Sequence, residues 1–215
     1  MSAHRAARPP VRELMAGYVG VKFKTVRASR EAARGARALY ADLRRAGERL
    51  AGYGMAPQNG GNISVRLRTG FAITSSGSNL GSLISEDVVQ VEDCDLEHEC
   101  VCYRGKLKPS SETFLHYLIL RQHPAAGAVV HAHDPMTSRA AVLAHGLVET
   151  PREEPYGTLA LARLALDAFA SRRRIIVLRN HGYVCIGEDL EAAVETIIST
   201  HRRLRAKKPI RCPQG

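Results

Sequence analysis

Two histidines separated by one residue, His131 and His133 in VVHAHDP, end an apolar run that reads as a buried strand. Side chains at i and i+2 of a strand point to one face, so the two imidazoles can converge on one metal ion. Zinc accepts imidazole nitrogen, and a catalytic zinc commonly keeps three protein ligands and an open fourth position. A pair of solvated edge-strand histidines has the same spacing, so a third ligand is needed. His181 is the candidate: it ends IIVLRNH and precedes Gly182, which permits a sharp turn. His116, His123 and His145 fall on helices, His98 in a polar turn, His201 in the last helix and His4 near the N-terminus. Surface or core packing accounts for these.

Three short segments have the composition of anion-binding loops. GGNIS (60–64) and TSSGS (74–78) lie beside strands and offer backbone N–H groups and hydroxyls. PSSE (109–112) opens a helix, where free N–H groups and the dipole favour an anion. Ordinary turns share this composition. Glu112 falls in the first turn of that helix. It is either a residue that complements the dipole or caps the helix, or a base held between a phosphate cradle and a metal. A second group of metal-ligating types, Cys94, His98, Cys100 and Cys102, occupies CDLEHECVC, but its spacing matches no common structural zinc pattern.

The elements that must position these residues are legible from periodicity and punctuation. A helical stripe of Ala38, Leu39, Leu43, Ala46 and Leu50 runs within 31–53. ISVRL, FAIT and DVVQVE read as strands, and DCDLEHECVCYRG as a turn followed by a short strand. KPSSETFLHYLILRQHP reads as a helix that Ser110 or Ser111 caps and Pro124 follows. AGAVVHAH is a strand, PMTSRAAVLAH (135–145) a helix, and GTLALARLALDAFASRRR another. IIVLRNHGYVCIG is a pair of strand segments, and EDLEAAVETIISTHRRLRAK the last helix. Strands and helices are mixed throughout, which predicts a layered α/β or α+β domain.

Composition narrows the function classes. The chain has 215 residues, suited to one domain with appendages, and no apolar run long enough for a membrane span. Five cysteines and no apolar signal segment predict reduced thiols in a cytoplasmic protein. The net charge of +10 belongs to the ends. Residues 1–30 read as a basic extension, 31–206 as the domain and 207–215 as a basic tail. No helix-turn-helix, zinc-finger or aromatic RNA-binding signature accompanies the charge, so nucleic acid is not an expected partner.

The segments NGGNISVR, ITSSGSNLG, PSSETFLH, AVVHAHDP and VLRNHGYVCIGEDLEAAV follow one another as in the class II aldolase/adducin family, which the chain resembles over roughly residues 36–204. The resemblance implies a three-layer α/β/α fold with a central, mostly antiparallel sheet. It implies a divalent metal, usually zinc, on His131, His133 and His181, with Glu112 as the catalytic base. It places a substrate phosphate at Gly61, Asn62, Ser76, Gly77, Ser110 and Ser111, and implies a homotetramer with active sites at subunit interfaces. The implied activity is aldol cleavage of a phosphorylated ketose such as fuculose 1-phosphate, through a metal-stabilised enediolate. The family also holds sugar-phosphate dehydratases, epimerases, decarboxylases and the non-catalytic adducins. Adducins lack the metal histidines, which this chain keeps. Family epimerases typically carry aspartate at the position of Glu112. One departure stands out. Aldolases of the family have a longer segment before PYGT, which in the fuculose enzyme supplies a tyrosine from a neighbouring subunit. Here LAHGLVETPREEPYG is short, and Tyr117, Tyr156 and Tyr183 have no assigned role.

Overall fold

The computed structural model describes residues 21–134, 142, 145–169 and 173–206. Most of the 135–145 helix, the first twenty residues of the extension and the 207–215 tail lie outside them. Among the described residues eight strands form one sheet: β1 (Lys24–Ser29), β2 (Asn62–Arg66), β3 (Phe71–Thr74), β4 (Val88–Asp95), β5 (Cys100–Arg104), β6 (Ala128–Ala132), β7 (Ile175–Leu178) and β8 (Gly182–Gly187). Their order is β1-β5-β4-β3-β2-β6-β8-β7. Among these eight strands only β1 and β5 pair in parallel, and the other strand pairs are antiparallel.

Helices cover both faces, as three layers require. On one face lie α1 (Arg34–Ala38), α2 (Tyr40–Gly52) and α5 (Leu190–Arg205); on the other lie α3 (Thr113–Gln122) and α4 (Leu159–Ala168). Strand alternation sorts the side chains. Val130 of β6 and Tyr183 of β8 pack with Leu43, Leu50 and Ile197. Their neighbours Val129 and Val184 pack with Phe114, Ile119 and Leu161 on the opposite side. Leu43 and Leu50, on one apolar stripe of α2, are fully buried, so truncating either to Ala costs about 2–5 kcal/mol.

Helix ends follow local chemistry, with two exceptions. Asp189 caps α5 by accepting from Ala192 N (2.8 Å), and Thr158 caps α4 by accepting from Leu161 N (3.2 Å). Neither Ser110 nor Ser111 stands at the N-cap of α3, although the Ser110 hydroxyl accepts from Glu112 N at 3.2 Å. The N-cap position is Glu112, whose side chain makes no capping bond. The helix read over 31–53 is divided at Leu39, between α1 and α2.

β1 was not anticipated. Residues 24–29, read as part of the basic extension, pair with β5 from Lys24 opposite Cys100 onward. The sheet therefore starts before residue 31. As an edge strand with one face uncovered, β1 leaves Val26 exposed and shows no apolar alternation to read.

Candidate metal and phosphate site

β6 and β8 place the histidines. His131 is fully buried near the end of β6, and His133 follows one residue beyond the strand. His181 stands in the β7–β8 turn after Asn180, whose φ of 55° is one that Asn tolerates well. The turn is closed by His181 N donating to Leu178 O at 3.0 Å. Gly182 then lets β8 pass close to β6. A β-carbon there would fall 2.3 Å from the Ala132 carbonyl oxygen and 3.3 Å from His131 Cε1.

The three rings meet in a triangle. Ring centroids are 4.8 Å (131–133), 4.7 Å (131–181) and 4.9 Å (133–181) apart. One nitrogen from each lies within 4.8 Å of the others, the only such metal-competent group among the described residues. His131 Nδ1–H donates to the Tyr183 carbonyl (2.8 Å), which orients the ring and leaves Nε2 as the electron-pair donor. That Nε2 lies 2.9 Å from His133 Nε2. Burial, and then the neighbouring histidines, hold His131 well below the ordinary histidine range. Burial and His181 push His133 down to about 4, against the pull of Glu112. Neutral imidazoles aiming nitrogens at one point are the donor set a divalent ion needs, so these residues fit one.

Glu112 faces the same point. Its Oε2 is 3.2 Å from His131 Nε2, and its Oε1 is 3.7 Å from His181 Nε2. Asn62 Nδ2 donates to Oε2 at 2.8 Å, while Oε1 has no hydrogen-bond partner among the described residues. The side chain is thus turned away from capping α3 and towards the histidines.

The anion loops gather against it. A Ser75–Pro109 bridge, Ser110 N donating to Thr74 O (3.1 Å) and Ser76 N donating to Lys108 O (3.0 Å) tie the two segments together. Gly61, with φ of 81°, runs so close to β6 that a β-carbon would sit 2.8 Å from His131 O. A cavity of about 580 Å³ is lined by Gly61, Asn62, Gly77, Ser110, Ser111 and Glu112, and by His133 and His181. Ser76 is not on this wall; its neighbour Ser75 is.

Several lining residues escaped the sequence reading. Pro57, Gln58 and Asn59 come from the loop before β2, and Asn180 from the β7–β8 turn. Tyr156 also lines the cavity, with Lys22 Nζ 4.0 Å above its ring. The other two tyrosines lie elsewhere. Tyr117 hydroxyl donates to Asp93 (3.2 Å), and Tyr183 is fully buried. His116, read as packing, is hydrogen-bonded to Asn62 and Ser64. Its position four residues after Glu112, on one helix face, was the available signal.

Fold and site together define a layered α/β domain with three convergent histidines at one cavity, and comparison with known proteins names its family. Residues 41–207 match the class II aldolase and adducin N-terminal domain, and the chain belongs to that family. It is 33% identical over 159 residues to the 5-methylthioribulose-1-phosphate/5-deoxyribulose-1-phosphate aldolase of Rhodospirillum rubrum, covering 67% of this chain and 69% of that one. It is 36% identical over 141 residues to the methylthioribulose-1-phosphate dehydratase of Methylococcus capsulatus, covering 65% and 64%. The chain thus spans about two thirds of the length of these relatives. Among solved structures, the L-fuculose-1-phosphate aldolase of Thermus thermophilus superposes with a TM-score of 0.60 at 27% identity, covering 79% of this chain and 92% of that one. Among the described residues, no helix is long and apolar enough to cross a membrane.

Proposed function

We propose that the chain is a metal-dependent lyase that cleaves a phosphorylated ketose. The observation that carries this is the Oε1 of Glu112, which has no hydrogen-bond partner among the described residues, is buried beside three convergent histidines and shares one cavity with the Gly/Ser loops. His131, His133 and His181 would hold a divalent ion, zinc by its preference for imidazole. Bound there, the ion would supply Lewis-acid polarisation of the substrate carbonyl.

The protein's own residues do the rest. Gly61, Gly77, Ser110 and Ser111 bind the phosphate, and binding at this unreactive end fixes the reacting carbons. Asn62 takes part through Glu112 as well as through the cradle. In cleavage, the C–C bond between the carbon beside the carbonyl and the next carbon breaks: the hydroxyl on the outer carbon gives its proton to Glu112 Oε1 as that part leaves as an aldehyde, and the bonding pair stays with the inner carbon. Oε1 then delivers the proton to the inner carbon; condensation runs the same transfers in reverse. By family resemblance, the assembly is a homotetramer and its location cytoplasmic.

A second reading is dehydration, favoured by the 36% identity to a named dehydratase. Glu112 would then remove the proton beside the carbonyl while a hydroxyl on the next carbon departs as water. Incubating zinc-loaded protein with a panel of ketose 1-phosphates decides between them. Release of dihydroxyacetone phosphate and an aldehyde supports cleavage. Loss of one water with the carbon chain intact supports dehydration. No turnover of any member would overturn the lyase reading.

A further inference from the structure

We propose that His116 is a positioning residue for Glu112: it anchors Asn62, and Asn62 holds Oε2 so that Oε1 alone faces the substrate. The inference rests on the lyase reading for its kinetic consequence, but not for its geometry.

The chain of contacts is continuous and buried. Ser64 Oγ lies 2.7 Å from His116 Nδ1, His116 Nε2 lies 2.5 Å from Asn62 Oδ1, and Asn62 Nδ2 lies 2.8 Å from Glu112 Oε2. Ser64 and His116 are fully buried, and Asn62 and Glu112 nearly so. Each donor follows from the last. An ionised carboxylate only accepts, so Asn62 turns its NH2 to Glu112 and its carbonyl oxygen to His116. His116 must then donate from Nε2, and Nδ1 accepts the Ser64 hydroxyl proton. One tautomer satisfies every contact of the chain. Burial supports it by pushing the His116 imidazole down to about 4, which keeps the ring neutral.

Placement explains why the relay can be stiff. His116 is four residues after Glu112, one turn along the same face of α3. Asn62 is opposite His131 in the β2–β6 ladder, and Ser64 is two residues further along the same strand face. Helix and sheet therefore grip the carboxylate from two sides. A freely rotating Glu112 would exchange its two oxygens; the Asn62 contact fixes which one is spent. A site held by supporting hydrogen bonds on regular elements keeps the sub-ångström geometry that proton transfer needs.

Packing alone predicts different behaviour from positioning. His116→Leu fills the space but removes the donor, and His116→Gln restores an N–H at the position of Nε2. In the zinc-loaded enzyme, His116→Leu should lower kcat about 10- to 100-fold. KM and metal content should stay within about threefold of the parent's, and His116→Gln should recover most of kcat. On a Glu112→Gln background, His116→Leu should cost almost nothing more, because the group it positions is already disabled. Full kcat in folded His116→Leu, or an equal further loss on the Glu112→Gln background, would overturn the proposal. Long-range ¹H–¹⁵N spectra give a readout that needs no turnover. They should show His116 protonated on Nε2, with a shift that changes in Asn62→Ala. A ring protonated on Nδ1 would overturn the relay even if the lyase reading stood. Turnover absent from the parent with the Nε2–H signal present would overturn the lyase reading and leave the relay supported.

Discussion

Two groups of metal-ligating residue types lie in different parts of the sheet, and only one of them converges among the described residues. Cys94, His98, Cys100 and Cys102 fall within nine consecutive residues on the β4–β5 hairpin, while His131, His133 and His181 span fifty-one. Proximity in sequence nevertheless separates the first group. Cys94 is opposite Val101 in the ladder and shares its face, towards α3 and α4. Cys100 and Cys102 flank Val101 and so point the other way. His98 is exposed in the turn, its Nδ1 2.7 Å from Asp95. The distant histidines converge because β6 and β8 are neighbours and both end at the same cavity.

The largest test of this contrast removes ligands from the convergent group. His131→Ala/His133→Ala should reduce bound zinc from about one ion per chain to near none after dialysis, and abolish turnover. Metal content unchanged by the double substitution would show that the ion lies elsewhere. Next in size is Glu112→Gln. Turnover should fall about 10² to 10⁴-fold while metal content holds, because the carboxylate faces the three convergent histidines without belonging to that donor set. If Glu112 served the helix instead, activity would survive and stability would drop by about 0.3–1 kcal/mol.

Acid should weaken the histidine end in particular. Folded His116 and His133 sit at about 4, and His131 lies well below its ordinary value, so all three are depressed on folding. Their unfolded value is about 6.5. Between these limits the unfolded chain binds more protons, so stability is full above about pH 6.5 and is lost as pH falls towards about 4. For metal-free protein the loss is about 3 kcal/mol for His116 or His133 over that window, read as a falling urea midpoint. A midpoint that stays level would contradict the buried, neutral rings. The smallest effect belongs to the hairpin. Cys100→Ser/Cys102→Ser should leave bound metal and kcat unchanged and shift stability by no more than about 0.5 kcal/mol, since both thiols are only partly buried.

Much of this molecule is written locally. Alternation marks β2 and short apolar runs mark β3, β4 and β6, because each buries one face or both. The i, i+2 spacing of His131 and His133 and the glycines of the loops are likewise properties of short stretches. Together with the five-segment resemblance they were enough to name the family, the layered fold and the candidate ligands. Other features depended on which segments become neighbours. β1 carries no alternation, since an edge strand with an open face needs none. Ser76 and Ser75 have the same composition, and only the path of the loop puts Ser75 on the wall. Glu112 could equally have capped α3. Asn62, fifty residues away, and the rings of His131 and His181 decide where its carboxylate points. Tyr156, Asn180 and His116 gain their places in the same way. Periodicity tells a side chain which face it takes, because that follows from backbone geometry within a few residues. Strand order and register decide what it meets there, because they minimise the free energy of the whole packed sheet.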